Sequence, residues 1–293
     1  MRGLSCRTAT FTLFGIFRIT PENAQIGHLH APKDCEMDKH FIIWTLRRTG
    51  GTTFATLLTE ASSHPSVQHE PFNHERLYGH VMRDWSAGLD VGRMRASLAE
   101  ILSKKVIIKH CYEVTPHPLN VALLSEAIKQ DYHHVVLRRR AEVDRMFSLN
   151  IAQLTDAWGV ETAKVVFDEI ETGVRPKPVL PIAKSVAQMS ECHLRTTWLV
   201  SAFKALGVPY TEIDFEDLYT DHEIGAAHVR TILAELGHSP EKIDLLTDKI
   251  NLALTTRSQG TRRLDVFVAN MAEWRDKMQQ TFQLLQSAQT DRA

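Results

Sequence analysis

Short apolar runs alternate with helical periodicity along most of the chain. Apolar runs of the length and composition of buried strands occupy residues 41–46, 105–109, 134–137 and 210–214. Apolar residues recur at helical spacing in residues 52–61, 93–102, 119–129, 141–157 and 182–206, and helical segments continue towards the C-terminus. Strands that alternate with helices pair in parallel and have both faces covered. The pattern therefore predicts an α/β fold with a parallel central sheet and a helical C-terminal half.

Residues 1–36 do not follow this pattern, because prolines, glycines and histidines occur there without a sustained period. We expect residues 1–37 to be a disordered extension or the result of a misassigned start codon, and residues 38–293 to form a single domain. A secretory or anchoring signal in this leader is the less favoured alternative. Its apolar stretch, residues 11–17, is short, is followed at once by Arg18 and has no convincing cleavage site after it.

Charge and cysteine content narrow the class of protein. The 34 Lys and Arg residues balance 35 Asp and Glu residues, whereas proteins that coat nucleic acid or membranes carry a basic excess. No run approaches the roughly 18 apolar residues of a membrane span, so we expect no stable membrane insertion. The four cysteines form no CxxC pair, which predicts neither a zinc site nor a disulfide framework and favours a reducing, cytoplasmic location. Because the basic and acidic residues of the whole chain balance, an anionic ligand would have to bind at a local cluster of cations.

The first such cluster follows the first predicted strand, as Arg-Arg-Thr-Gly-Gly-Thr-Thr-Phe at residues 47–54. A glycine-rich turn at this place lets backbone N–H groups converge on an anion at the N-terminus of the next helix. The Walker spacing GxxxxGK[ST] and the Rossmann spacing GxGxxG are both absent, which disfavours an ordinary ATPase or dehydrogenase. The alternative is a tight turn with threonine as helix cap. The candidate anion-binding residues are Arg48, Thr49, Gly50, Gly51, Thr52 and Thr53.

A second basic cluster follows the predicted strand at residues 134–137. Residues 138–140 are three consecutive arginines, and the helix behind them carries Arg145 and Ser148. The carboxyl ends of parallel strands meet at one edge of the sheet, where ligands bind in open α/β folds. Arginine recognises phosphate through paired hydrogen bonds. We therefore expect both clusters to face the same anionic ligand.

Together the two clusters resemble those of the sulfotransferases that use 3′-phosphoadenosine 5′-phosphosulfate (PAPS), and look most like the bacterial carbohydrate-type branch. The resemblance implies a P-loop-like three-layer domain in which residues 48–52 hold the 5′-phosphosulfate end of the donor. It also implies that Arg140 and Ser148, eight residues apart, bind the 3′-phosphate. Gly51 stands where the family has a hydroxyl residue. Thr52 and Thr53 are therefore expected to supply the hydrogen bonds that this hydroxyl would donate. Residues 256–263 are loosely similar to the family's basic third donor-binding loop.

The same resemblance implies transfer of a sulfuryl group to an acceptor hydroxyl, on a carbohydrate, a glycolipid or another small alcohol or phenol. Arg48 would stabilise the negative charge that develops on the leaving phosphate. Glu70 is the first candidate base, because His-Glu-Pro-Phe-Asn at residues 69–73 is similar to the segment that lines the acceptor site in this branch. His110 is the second candidate, since other branches use a histidine from a nearby strand end. An exposed loop carboxylate and a histidine at the edge of the core are the respective alternatives.

Several alternatives stay open at this point. The histidines show no metal-ligand spacing such as HExxH, so we expect no metal, and His80 is expected to lie in a loop. Residues 76–95 and 160–190 are expected to shape the acceptor pocket. An atypical P-loop nucleotide-dependent kinase and a non-catalytic nucleotide-binding protein are the competing functions. The sequence does not decide between a monomer and a homodimer.

Overall fold

Four strands form the centre of the molecule. They are β1 (Phe41–Thr45), β2 (Ile108–Cys111), β3 (His133–Arg138) and β4 (Tyr210–Asp214). They pair in parallel throughout, in the order β2-β1-β3-β4. The computed structural model describes residues 38–67, 69–88, 90–255 and 266–290. The predictions for residues 1–37 and for residues 256–263 lie outside the described residues. The predicted α/β fold with a parallel sheet is confirmed.

The described residues also contain twelve helices. These are α1 (Gly51–Ala61), α2 (His80–Ser86), α3 (Val91–Ser103), α4 (His117–Lys129), α5 (Glu142–Thr155), α6 (Val160–Glu171), α7 (Ile182–Leu206), α8 (Phe215–Tyr219), α9 (His222–Glu235), α10 (Pro240–Leu245), α11 (Thr247–Thr255) and α12 (Met271–Thr290). Within the described residues, β4 is the only strand that follows α5. The predicted helical C-terminal half is therefore confirmed for this part of the chain. No described helix has the length and apolar character needed to cross a membrane.

Helices α2 and α6 are not among the helices predicted from the sequence. Helix α2 is short and starts at His80, which we expected in a loop. Helix α6 buries Val166 and Ile170 against a small satellite cluster, while its other positions are mostly charged or exposed. Helix α2 has only seven residues, too few for a helical period to be recognised, whereas α6 does carry an amphipathic period that the sequence-based prediction missed.

Strand β2 begins three residues later than its apolar run predicts. Lys105 has a left-handed φ of 51°, and Ile107 donates its backbone N–H to the Pro65 carbonyl, 2.9 Å away, instead of joining the sheet. Pairing with β1 starts at Ile108. His110 therefore lies inside the strand, whereas the sequence placed it just past the strand's end.

The two faces of the sheet bury separate hydrophobic cores. Ile42 and Trp44 of β1 face a core completed by residues of α3, α4 and α7. Phe41 and Ile43 face the other core, together with residues of α1, α9 and α11. Every residue of β1 is buried, which explains why its sequence is a continuous apolar run rather than an alternating one. A third cluster packs α5, α7 and α12 around Trp274.

The sheet brings the loops of interest together. Thr45 at the end of β1 pairs with Cys111 of β2 on one side and with Leu137 of β3 on the other. Arg138 at the end of β3 pairs with Asp214 of β4. The segments that follow β1, β2, β3 and β4 thus start side by side at the carboxyl edge of the sheet.

Two buried histidines flank Trp44 in the core. The Trp44 indole Nε1 donates to His134 Nδ1 at 3.1 Å. The His110 ring stands edge-on to the Trp44 ring, with 5.3 Å between centroids, and its Nε2 lies 2.7 Å from Asn120 Oδ1. Burial lowers the pKa of both imidazoles to about 4, because a charged ring would be desolvated there. Both rings are therefore neutral at physiological pH.

Acid is expected to destabilise the fold through these two histidines. The pKa of an exposed histidine is about 6.5, so between that pH and about pH 4 the unfolded chain binds protons that the folded chain does not. The free energy of unfolding therefore falls as the pH falls through this range. Each histidine should account for about 2 kcal/mol of the loss between about pH 7.5 and about pH 5. Urea unfolding at both pH values measures it.

A His134→Gln variant isolates one of the two contributions. The glutamine carbonyl can still accept the hydrogen bond of Trp44 Nε1, but it does not titrate. The variant should lose about 2 kcal/mol less than the wild type between the two pH values. His74→Gln controls for the loss of a histidine at an exposed position. The same pH dependence in wild type and His134→Gln would show that His134 is not the titrating group.

Candidate functional site

The loop between β1 and α1 is held in a fixed shape by hydroxyl groups. Thr49 Oγ1 donates to the Leu46 carbonyl at 2.7 Å and also pairs with the Thr45 hydroxyl. Thr45 Oγ1 lies 3.1 Å from the Leu137 carbonyl of β3. Arg48 adopts a left-handed φ of 69°, which is uncommon for a residue with a Cβ. The threonines thus anchor a turn in which Arg48 has a strained backbone.

The first turn of α1 leaves its backbone donors open. Gly50 is the N-cap residue, has a φ of 73° and offers no side chain to cap the helix. The first N–H groups of any α-helix lack an intrahelical partner, and no other described side chain caps this helix. The helix dipole adds positive potential at this end. Thr52, in this turn, is exposed. The start of α1 can therefore accept an anion.

Gly50 is required by the close approach of α8. A Cβ at this position would lie 2.8 Å from Tyr219 Cε2 and 3.0 Å from Phe215 Cδ2, closer than real side chains pack. The Tyr219 hydroxyl donates to the Gly50 carbonyl at 3.1 Å. Helix α8 thus presses on the loop from the β4 side, a contact between residues 169 positions apart that the sequence does not reveal.

Space at Gly51 is limited by a threonine of β1 and a lysine of β2. A Cβ at Gly51 would lie 3.2 Å from Thr45 Cγ2 and 3.3 Å from Lys109 Cε. The aliphatic part of Lys109 thus passes over Gly51, and its Nζ reaches to 3.5 Å from Thr52 Oγ1. This contact gives a physical reason for glycine at the position where the sulfotransferase pattern has a hydroxyl residue.

Arg48 and Arg139 form a pair of cations without carboxylate partners among the described residues. Arg48 Nε donates to Ser148 Oγ at 2.9 Å, and Arg139 Nη1 donates to the Arg48 carbonyl at 3.0 Å. The Arg139 guanidinium also lies over the Phe215 ring, 4.6 Å from its centroid. Burial and the charge of Arg139 lower the pKa of Arg48 to about 10, and burial lowers that of Arg139. A bound anion would compensate this charge.

The other arginines at this edge are already paired with carboxylates. The pairs are Arg47 with Glu113, Arg138 with Glu212 and Asp214, Arg140 with Asp214 and Asp217, and Arg145 with Glu142. These internal pairs explain how a chain with a net charge of −1 can keep an uncompensated positive site. Arg48 and Arg139 differ from the other arginines of this edge in having no such ion pair among the described residues.

Arg140 and Ser148, which the resemblance pairs around one phosphate, make different contacts here. Ser148 accepts from Arg48. The Arg140 side chain is 53% exposed and binds Asp217 with two nitrogens, at 2.9 and 2.5 Å. The role of Arg140 towards a 3′-phosphate stays a prediction, and it requires exchange of these ionic contacts for contacts with the ligand.

Arg139 is the functional candidate that sequence reasoning did not single out. Strand β3 ends at Arg138, but the alternation of side chains between the two faces continues one residue further, so Arg139 lies on the same side as Leu137, over Phe215 of α8. Arg138 and Arg140 instead share Asp214 on the other side. Side-chain alternation extended past the end of β3 is the signal that distinguishes the middle arginine from its two neighbours.

Glu70 lies beside β2 and is bound by three side chains. Its Oε1 accepts from Lys109 Nζ at 2.7 Å and from Cys111 Sγ at 3.3 Å, and its Oε2 accepts from Asn73 Nδ2 at 3.0 Å. Its backbone N–H donates to the Lys109 carbonyl, and its φ is 59°. Burial acts to raise the pKa of Glu70, but the charge of Lys109 and the three hydrogen bonds lower it to about 2. Glu70 is therefore ionised and precisely oriented.

Of the two candidate bases, the geometry favours Glu70. Lys109 connects Glu70 to Thr52 at the start of α1, so this carboxylate lies next to the anion-binding turn. His110 points to the other face of β2, where its ring packs between Trp44 and Phe72. With 1% exposure and a hydrogen bond to Asn120, His110 is in the position of a core residue.

A cavity of about 340 Å³ opens at the same edge of the sheet, on the side of α7 and α12. Its lining includes Arg138, Glu142, His193, Thr196 and Phe282. Of the two segments expected to shape an acceptor pocket, residues 76–95 and 160–190, only one residue lines this cavity, at position 189. The aromatic residues of those segments pack against hydrophobic clusters instead; they are Tyr78, Trp85 and Phe167.

Among the described residues, no three His, Cys, Asp or Glu side chains lie close enough together to hold a metal ion. Comparisons of the chain with protein-family models and with curated proteins return no match.

Proposed function

We propose that this chain is a PAPS-dependent sulfotransferase with a P-loop-like domain. The observation that carries the proposal is the pair Arg48 and Arg139, two half-buried cations with no carboxylate partner among the described residues, beside the uncapped start of α1. A nearby ionised carboxylate, Glu70, supplies a proton acceptor. These are the parts that sulfuryl transfer needs: a held donor, positive charge at the leaving group and a base for the acceptor.

Each group has one task in this proposal. The backbone N–H groups of Gly51, Thr52 and Thr53 hold the phosphosulfate, with the threonine hydroxyls as further donors. Arg48 and Arg139 stabilise the charge that develops on the leaving phosphate. Such donors act strongly because they are oriented before the reaction and are shielded from water. Ser148 fixes the orientation of Arg48 through the bond to its Nε.

The acceptor in this proposal is a hydroxyl-bearing small molecule or a glycan. Its oxygen attacks sulfur in line with the phosphate oxygen that leaves, and Glu70 takes the hydroxyl proton. Cys111 and Cys192 are both buried free thiols, which supports a reducing compartment such as the cytoplasm. The kinase alternative would need Mg²⁺ in addition to the same loop.

Thermal-shift measurements test the proposal directly. A ligand that binds only the folded protein raises its Tm, and at a fixed ligand concentration the rise is larger for a ligand that binds more tightly. We expect adenosine 3′,5′-bisphosphate to raise the Tm more than ATP with Mg²⁺ does, relative to no ligand. A larger shift with ATP and Mg²⁺ would favour the kinase. Bisphosphate binding without sulfate transfer to any of a panel of sugars, alcohols and phenols would favour a non-catalytic binding protein.

A further inference from the structure

We propose that Lys109 is shared between Glu70 and the phosphosulfate, so that donor binding draws the ammonium group away from the carboxylate and frees Glu70 to accept a proton. This inference rests on the proposed function. The loop after β1 has no lysine: Gly51-Thr52 stands at the place where a Walker loop has Lys-Ser or Lys-Thr. The structure supplies a lysine at this place from β2 instead.

The position of Lys109 is compatible with both partners. Its Nζ is 2.7 Å from Glu70 Oε1 and 3.5 Å from Thr52 Oγ1. An ammonium group has three donors, and these two contacts are the ones it makes within the described residues, so one donor is available. An anion on the first-turn amides of α1 would lie beside Thr52. A small rotation of the ammonium group then reaches it.

The packing keeps Lys109 on this path. Its side chain is 7% exposed, and its Cε packs over Gly51, 3.3 Å from where a Cβ at that residue would lie. The other ionisable groups that interact electrostatically with Lys109 or Glu70 are Cys111, Glu113, His69 and His110. Cys111 is a neutral thiol, because burial raises its pKa, so Glu70 is the anion that Lys109 contacts.

The consequence for the reaction is a base that becomes stronger when the donor is bound. In the free protein the ammonium charge of Lys109 holds the carboxylate in a weakly basic state. Once the donor anion competes for Lys109, the carboxylate loses part of that stabilisation. The acceptor oxygen then bonds to sulfur, the sulfur–oxygen bond to the 5′-phosphate breaks with its electron pair on the phosphate, and the hydroxyl proton passes to Glu70. Binding of the sulfuryl donor thereby activates the base that deprotonates the acceptor hydroxyl.

A set of binding measurements tests the shared lysine. Adenosine 3′,5′-bisphosphate and inorganic pyrophosphate are titrated calorimetrically into wild type, Glu70→Gln and the double variant Glu70→Gln/Lys109→Met. Removing the carboxylate charge leaves Lys109 free for the ligand, so Glu70→Gln should bind at least threefold more tightly than wild type. The double variant leaves no unpaired buried charge, and it should bind at least tenfold more weakly than Glu70→Gln. Lys104→Met, an exposed lysine on α3's C-terminal side, controls for loss of one positive charge.

The outcomes separate this inference from the proposed function. Equal affinities of Glu70→Gln and the double variant for both ligands would show that Lys109 only pairs with Glu70, and would overturn the inference. Bisphosphate binding by wild type together with that equality would leave the sulfotransferase proposal intact. Lys109-dependent binding of pyrophosphate without any binding of bisphosphate would support the shared lysine and reject the donor. Unchanged affinity in Glu70→Gln would also contradict competition between the two partners.

Discussion

Replacing Arg48 by alanine is expected to weaken binding of adenosine 3′,5′-bisphosphate at least tenfold, with an equal or larger loss of sulfate transfer. Arg48 has no carboxylate partner among the described residues, and its Nε is already held by Ser148, so its remaining donors are oriented for a ligand. A hydrogen bond to a charged group contributes about 1.5–3 kcal/mol, which corresponds to about a tenfold to a hundredfold change in affinity. Arg139→Ala should show the same loss, because in the proposed site both guanidinium groups contact the same anion.

The fold should survive these substitutions. Arg48 and Arg139 each have a pKa lowered by burial, which means that their charge costs stability in the free protein. The substitutions also remove the hydrogen bonds of both side chains and the contact of Arg139 with Phe215. We therefore expect the two effects to offset each other and both variants to unfold at a urea concentration close to that of wild type. Arg230→Ala, on α9 and paired with Asp244, removes a distant arginine as a control. Wild-type affinity in both Arg48→Ala and Arg139→Ala would reject this anion site.

Arg140→Ala distinguishes the two phosphates of the ligand. The resemblance assigns Arg140 to the 3′-phosphate, and we expect the variant to bind the 3′,5′-bisphosphate at least tenfold more weakly. Affinity for adenosine 5′-phosphate should change little. Equal affinity of wild type and variant for the bisphosphate would mean that Arg140 stays bound to Asp214 and Asp217.

Replacing Glu70 by glutamine is expected to abolish most of the transfer while the protein still binds the nucleotide product. A positioned general base contributes about a hundredfold to ten thousandfold to the rate. Glutamine has nearly the same shape and can still accept a hydrogen bond from Asn73, so the loop should stay in place. The measurements are the rate of sulfate transfer from labelled PAPS and calorimetric binding of the bisphosphate.

Glu75→Gln is the matched control, because Glu75 lies in the same segment and is exposed. Loss of nucleotide binding in Glu70→Gln would assign Glu70 a structural role. Full transfer activity would place the base elsewhere. His110 could then be tested, although a substitution at this buried position is expected to lower stability first, since it removes the contacts with Asn120 and Trp44.

Much of the architecture was predictable because it depends on local periodicity. Helix α7 (Ile182–Leu206) and strand β4 (Tyr210–Asp214) have the bounds that the apolar pattern predicts. Strand β2 does not, because residues on both sides of its start are apolar and the pattern alone cannot tell where sheet pairing begins. The competing pairing of Ile107 with Pro65 and Ser66 decides that boundary. It is a contact across more than forty residues of sequence.

The sequence by itself determined where the candidate functional residues lie. The glycine loop follows β1 and the three arginines stand at the end of β3, and both are at one edge of the sheet because parallel pairing aligns the strand ends. Only the tertiary structure decided which cations are available. The carboxylates that neutralise Arg140 come from residues 74 to 77 positions downstream, glycine at position 50 is required by the approach of Tyr219, and space at Gly51 is limited by Lys109. Charge compensation and close approach depend on distances between segments that are remote in sequence, and no local pattern encodes those distances.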